Sequence, residues 1–376
     1  MSDPNSQSRA RRGLRGTGLR AFAAVLLLGY ASIAAPEQAA IENRDPAETF
    51  GVDTPIGRVD YRLGRGLAVG DTRLTIGGFA VAEGERLEDG ESSGGLDKVN
   101  FLLFFDPLPF VHLFSELEVN GLAIAQSGRS GVRSAPEIGA ERVFGDFGAN
   151  DALNLRLGKF LTPIGRWNPA PAEPFTWTTS DPLIVEEVFD ETVTGGMVFG
   201  SVFPRGGTLS YSAYGTFFDP IQPDPDAPPA EHNAGAYLEW ADLRGWSVGA
   251  SYFASQAEEN GWNHLGGVDG LWRPTGRVEL SAEAVFGEGS RGEGGLFGLY
   301  AQAVVETVST LYAVGRYERF DPPGEGRSLD LFDLGLAWVP VPSVRLKADY
   351  RFADHFDELS ADLEAAGFRG SLSLIF

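Results

Sequence analysis

Val344-Arg345-Leu346-Lys347-Ala348-Asp349-Tyr350-Arg351-Phe352 divides without exception into two sets: Val344, Leu346, Ala348, Tyr350 and Phe352 are apolar or aromatic, and the residues between them are charged. Successive side chains of an extended chain point to opposite sides, so this period of two is a β-strand with one apolar and one charged face. Residues 277–286 and 208–217 divide in the same way, with Val278, Leu280, Ala282, Ala284 and Phe286 opposing Arg277, Glu279, Ser281 and Glu283 in the first of them. Working outward, such segments recur near 72–82, 96–105, 110–120, 140–146, 152–161, 193–202, 208–218, 233–240, 246–255, 264–272, 277–286, 296–306, 311–320, 329–338, 344–353 and 367–376, sixteen in all. Helical spacing is almost absent from residue 72 onward.

The connections alternate in length. Those at 106–109, 147–151, 203–207, 241–245, 273–276, 307–310 and 339–343 are short; those at 83–95, 121–139, 162–192, 219–232, 256–263, 287–295, 321–328 and 354–366 are longer. A soluble sandwich has no reason to alternate, whereas a transmembrane barrel has tight turns on one side and long loops on the other. In hydrocarbon every backbone amide must find its partner within the protein, and period-two strands manage this only by closing on themselves. The predicted fold class is therefore all-β: a transmembrane antiparallel β-barrel of about sixteen strands over 72–376. A barrel of that size is too wide for wall side chains to fill and encloses water. Trp240, Trp246, Trp272 and Trp338, with Phe105 and Phe110, flank short connections, as an interfacial aromatic belt requires.

Composition excludes other classes. The 376 residues contain no Cys and four His, and carry a formal charge of -22. Disulfides, thiol chemistry and Cys-ligated zinc are ruled out, and so much negative charge repels nucleic-acid phosphates. Residues 1–34 combine five arginines with the apolar run Ala21–Leu28 and the small residues Ser32 and Ala34, which is the pattern of a signal peptide cleaved after Ala34. Residues 35–71 show no sustained alternation and contain Pro36, Pro46 and Pro55; they are expected to form a periplasmic N-terminal extension.

The last ten residues, Gly367-Phe368-Arg369-Gly370-Ser371-Leu372-Ser373-Leu374-Ile375-Phe376, resemble the C-terminal signal strand of Gram-negative outer-membrane proteins. Phe368, Leu372, Leu374 and Phe376 match it, and Gly370 departs from it. The resemblance implies recognition by the barrel-assembly machinery and a location in the outer membrane, against lipid and lipopolysaccharide. Across residues 72–376 the pattern is similar to a sixteen-stranded porin, and Gly158-Lys159-Phe160-Leu161-Thr162-Pro163-Ile164-Gly165 resembles a local stretch of phosphate-selective porins. This implies a passive diffusion channel for small hydrophilic solutes or ions, assembled as a homotrimer, without catalysis or cofactor. A structural or adhesive barrel with acidic surface loops is the alternative. A barrel enzyme would have to draw on His112, His232, His264 or His355.

In porins the third outer loop resembles an inward fold that narrows the pore, and here 162–192 is the longest connection. Its Trp167, Phe175, Trp177 and Phe189 are too apolar for a loop in water. Arg166, Glu173, Asp181, Glu186, Glu187, Asp190 and Glu191 are the expected constriction residues; the other arrangement is a loop folded over the barrel mouth. Inward parity gives Arg316, Arg345, Lys347, Arg351 and Arg369 to a basic pore wall, interrupted by Glu318 and Asp349 and expected to face the loop's acids across the narrowest point. The carboxylates of 83–95 and of 354–364 would suit surface calcium or magnesium, or stand as solvated loops. No residues with the spacing of an internal metal site are present.

Overall fold

In a computed structural model the chain is described over residues 50–376, except 56, 89, 129–130, 223–231, 257–260, 289–294, 324–327 and 355–365. The proposed signal peptide, His355 and most of the acidic run at 354–364 lie outside the described residues. Three short strands come first, β1 (Phe50–Thr54), β2 (Gly57–Arg62) and β3 (Gly66–Val69). The long strands follow: β4 (Leu74–Leu87), β5 (Ser92–Leu108), β6 (Val111–Gln126), β7 (Glu137–Asn150), β8 (Leu153–Leu161), β9 (Thr192–Val202), β10 (Gly207–Thr216) and β11 (Asn233–Asp242). The remainder are β12 (Trp246–Gln256), β13 (Trp262–Thr275), β14 (Val278–Gly287), β15 (Leu296–Val308), β16 (Leu311–Asp321), β17 (Leu329–Val341), β18 (Val344–Asp354) and β19 (Gly367–Ile375).

Each long strand pairs antiparallel with the next, and β19 pairs with β4, from Gly367 opposite Leu87 to Ile375 opposite Phe79. The sixteen strands β4–β19 thus form a closed barrel, and each expected segment coincides with one of them. The seam ends where Phe376 exchanges backbone hydrogen bonds with Gly78, N to O 2.8 Å and O to N 3.0 Å. A Cβ on Gly78 would stand 2.8 Å from the Phe376 ring and 2.2 Å from the Asn100 carbonyl, so this close approach needs glycine. On β19, Phe368, Leu372 and Leu374 point outward and Arg369, Ser371 and Ser373 inward and buried.

Residues 50–69 are more ordered than their lack of alternation suggested. β1, β2 and β3 form an antiparallel meander, and β3 takes the edge of β4 at Leu74–Ile76, just past the end of β19. Strands of four to six residues are too short to display a period. The connection expected at 83–95 shrinks to the turn 88–91, because β4 and β5 run further than the apolar pattern does. Glu83 and Glu85 therefore lie on β4 opposite Ser371 and Arg369, not on a surface loop. Among the described residues no group of three His, Asp or Glu could hold a metal ion. The irregular parity of 140–146 has a local cause: Arg142 faces Glu116 but Ala140 faces Leu117, so Glu141 is the extra residue of a bulge.

Candidate pore constriction

The segment 162–191 runs inside the barrel. Apart from one short turn of helix, α1 (Leu183–Glu186), it is irregular, yet most of it is buried. Ile164, Trp167, Leu183, Ile184, Val185, Val188 and Phe189 form one apolar cluster with wall residues including Phe160, Phe253, Leu265, Val285, Tyr300, Phe320 and Leu331. One side of the bore is thus a packed core rather than water. At roughly 1.5–3 kcal/mol for each fully buried apolar side chain, this interface outweighs any tendency of the loop to detach.

Polar pins fix the loop's height. Gly165 has φ +60°, and its N–H donates to Ser251 Oγ at 2.9 Å. A Cβ there would lie 1.6 Å from Glu283 Oε1. The backbone N–H groups of Arg166 and Trp167 donate to Glu283 Oε2 at 3.0 and 3.2 Å. The Arg166 guanidinium turns into the wall and reaches Glu239 Oε1, Ser247 Oγ and Asp269 Oδ1 at 2.8, 2.7 and 3.0 Å. It is an anchor beneath the loop, buried to 4% exposure, rather than a residue lining open water.

The basic wall residues also lie beneath the loop. Arg316 and Arg351 share Asp333 and Glu318: Arg316 Nη2 is 2.8 Å from Asp333 Oδ2, and Arg351 Nε is 2.8 Å from Asp333 Oδ1. The same Arg316 donates to Thr178 Oγ1 at 2.7 Å and to the Ser180 carbonyl at 2.8 Å. Arg351 adds a bond to Ser180 Oγ at 2.5 Å. Arg345 donates to the Thr176 carbonyl, and Lys347 to the Thr178 carbonyl, both at 2.8 Å. Arg345 also lies over the Trp177 ring, 4.5 Å from its centroid. With Arg369 at 7%, all five bases are buried. Arg316, Arg345, Lys347 and Arg351 bind the loop's carbonyls and hydroxyls instead of opposing its carboxylates across water. Sequence parity gave the correct face for each; it carried no information that the loop would cover that face.

The expected acids separate into two groups. Glu173 pairs with Lys98 of β5, joining the loop to the wall beyond the seam. Asp181 accepts from Trp167 Nε1 at 3.2 Å, and Asp190 from Asn233 Nδ2 at 2.7 Å. Glu186 and Glu187 are half-buried and Glu191 is exposed. Burial, with Asp181 next, pushes the Glu186 carboxyl up to about 8, while Arg351, Glu318 and Glu187 also act on it. Asp181 is raised to about 6, again mainly by burial. Burial inside the barrel first, then the charges of Glu141, Asp181 and Glu118, push the Glu191 carboxyl up to about 8 against Lys98, so it looks toward β5–β7. There Glu118 and Glu141 are half-exposed, whereas Arg142 pairs with Glu116, and Arg156 binds Asp146 at 2.7 Å. The free side of the loop and the facing wall thus present carboxylates to water.

The sequence identifies Glu318 only as an acid interrupting the basic wall, and gives no role to Glu283, Glu239 and Asp269, which also hold the loop from the wall. Among the described residues His112 and His264 lie on separate strands: His112 Nδ1 meets Asp106 Oδ1 at 2.7 Å on β6, and His264 Nδ1 meets the Tyr252 hydroxyl at 2.7 Å on β13. Gly158–Gly165 is the end of β8 and the hinge into the loop, and its Gly165 amide is engaged by Ser251.

A closed sixteen-stranded wall with an apolar exterior and an inward third loop defines a porin-type outer-membrane barrel. No family model matches the sequence. A protein of Aquifex aeolicus known only as an uncharacterized protein is 22% identical over 368 residues, spanning 81% of this chain and 80% of that one. Among solved structures, Salmonella typhi OmpF in complex with daunomycin is similar with a TM-score of 0.57 at 12% identity, over 81% of this chain and 97% of that one. The anion-selective porin from Comamonas acidovorans gives 0.54 at 13%, over 81% and 99%. The outer-membrane protein OmpT of Vibrio cholerae in its trimer form gives 0.56 at 13%, over the same shares. The fold is that of Gram-negative outer-membrane porins, and the apolar wall belongs in that membrane.

Proposed function

We propose that the chain is a passive outer-membrane channel for small hydrophilic solutes that prefers cations, and that three copies assemble as in the trimer form of the Vibrio cholerae protein. One observation carries the preference: Arg316, Arg345, Lys347 and Arg351 are buried and engaged under the loop, and Arg142 and Arg156 of the facing wall are each paired with an acid, while Glu118, Glu141, Glu186, Glu187 and Glu191 keep contact with water. Two unit charges about 4 Å apart interact by about 1 kcal/mol in water and about 4 kcal/mol at the effective dielectric of a protein surface. A passing cation therefore gains from each carboxylate that is ionised, Glu186 and Glu191 joining the others only above about pH 8, whereas a buried Arg–Asp pair contributes little net field.

The test is single-channel recording in a planar bilayer under a potassium chloride gradient. Discrete conductance steps with a reversal potential on the cation side support the reading. Insertion without conductance removes the channel, and conductance with an anion-side potential removes the preference alone.

A further inference from the structure

The lipid-facing wall of β12–β17 carries a recess of about 700 Å³ that the channel reading does not use. It follows from two cross-strand rows. One runs Trp246, Trp272, Leu280, Ala303, Gly315, Leu334 through successive register partners. The neighbouring row runs Val248, Gly270, Ala282, Ala301, Tyr317, Phe332. Side chains are thus almost missing from a block of Gly270, Ala282, Ala301, Ala303 and Gly315. Trp246 and Trp272 stand on one flank and Tyr317, Phe332 and Leu334 on the other; Trp272 is 52% and Leu334 58% exposed.

We propose that this recess seats one acyl chain of an anionic phospholipid from the periplasmic leaflet. A flat protein partner would rest on the projecting flanks and leave the small-residue floor empty, losing the contacts that close packing supplies. A flexible hydrocarbon chain can lie along the floor. Charge fixes the source. At the short-turn end, Arg244 is exposed two residues before Trp246, and Arg277 is exposed in the β13–β14 turn. Asp242 lies beside Arg244 and accepts its backbone N–H at 2.6 Å, but both guanidinium groups are exposed beside the aromatic belt, where a phosphate-bearing headgroup lies. Past the opposite end, Tyr317 donates to Asp330 at 2.5 Å, and Arg319 is engaged by Asp321 at 3.2 Å and by Ser328. Among the described residues Asp321 and Asp330 stand there with Arg319, which disfavours the phosphates of lipopolysaccharide.

The test is native mass spectrometry of the full-length mature barrel, refolded in detergent and offered phosphatidylglycerol, a neutral diacylglycerol or lipid A. One retained phosphatidylglycerol per barrel is expected, with retention about tenfold lower in Ala301→Phe, which fills the floor. Arg244→Gln with Arg277→Gln leaves the wall intact and should reduce retention of phosphatidylglycerol to that of the neutral lipid. The double variant decides the matter if Ala301→Phe fails to fold. No retention by the unaltered barrel, retention unchanged in both variants, or stronger retention of lipid A overturns the proposal. Loss of oligomer mass in Ala301→Phe also overturns it, in favour of a second copy on this face.

Discussion

Arg316 and Arg351 straddle Asp333, and both are fully buried, so the pair of bases depends on that one carboxylate and on Glu318. Asp333→Asn leaves two cations with half their compensation, and breaking a buried pair costs about 3–5 kcal/mol. Because Ser180 bonds to both arginines, the expected result is a loosened loop. Single-channel traces should become noisier, with additional conductance levels, while the barrel still folds. Steady traces at the original conductance would show that the cluster does not hold the loop. Glu186 makes a second prediction. Its carboxyl, raised to about 8, is neutral below that value, and Asp181 follows at about 6. Negative charge at the constriction is lost as pH falls through these values, so cation preference should decline from alkaline pH to about pH 5. Glu191 is raised to about 8 as well, so in Glu186→Gln the step near pH 8 should shrink, and in Glu186→Gln/Glu191→Gln it should vanish, as read from reversal potentials at each pH. At this scale the sequence told which way each base points, since parity is a local property of one strand. That the arginines would be sealed in depended on a loop up to about 170 residues away in the chain, and no strand records its cover.

The loop is the element that makes a constriction out of a barrel, and its hinge is Gly165. Gly165→Val must occupy a left-handed backbone conformation and displace the Glu283 carboxylate. Since Glu283 receives the next two amides, the whole entry to the loop should shift. The predicted outcome is a larger conductance with weaker selectivity; an unaltered pore would place the anchoring elsewhere. The last strand gives a complementary test. Deleting Phe376 removes the ring seated on Gly78 and both terminal backbone bonds of the seam, so the yield of heat-modifiable folded protein should fall. All sixteen strands were legible because long amphipathic segments repeat the same signal many times. The meander at 50–69 was not, being built of strands too short to show a period, and the β4–β5 hairpin was misplaced because its outer end faces water on both sides. The loop's inward course was legible from Trp167, Trp177 and Phe189; its anchoring acids on β11, β13 and β14 were not.

At the scale of the whole molecule, a closed wall turns one apolar surface to lipid and the other to a lumen divided by the loop. On one side of that division charges are paired and dry, and on the other carboxylates remain in water. Ionic strength should therefore modulate the proposed pore. The screening length is about 10 Å at 0.1 M and about 3 Å at 1 M, so selectivity should weaken in concentrated salt. The central claim is that the open passage is bordered by acids because the bases are spent on holding the loop. It is tested most directly above pH 8, where Glu186 and Glu191 are ionised, by the reversal potential of single channels in a tenfold potassium chloride gradient near 0.1 M, compared between the unaltered protein and Glu118→Gln/Glu141→Gln/Glu191→Gln. The account predicts a cation-side potential that moves toward zero in the triple variant and stays in place in Arg345→Gln. A potential on the anion side, or one that moves with Arg345 and not with the three glutamates, would contradict it.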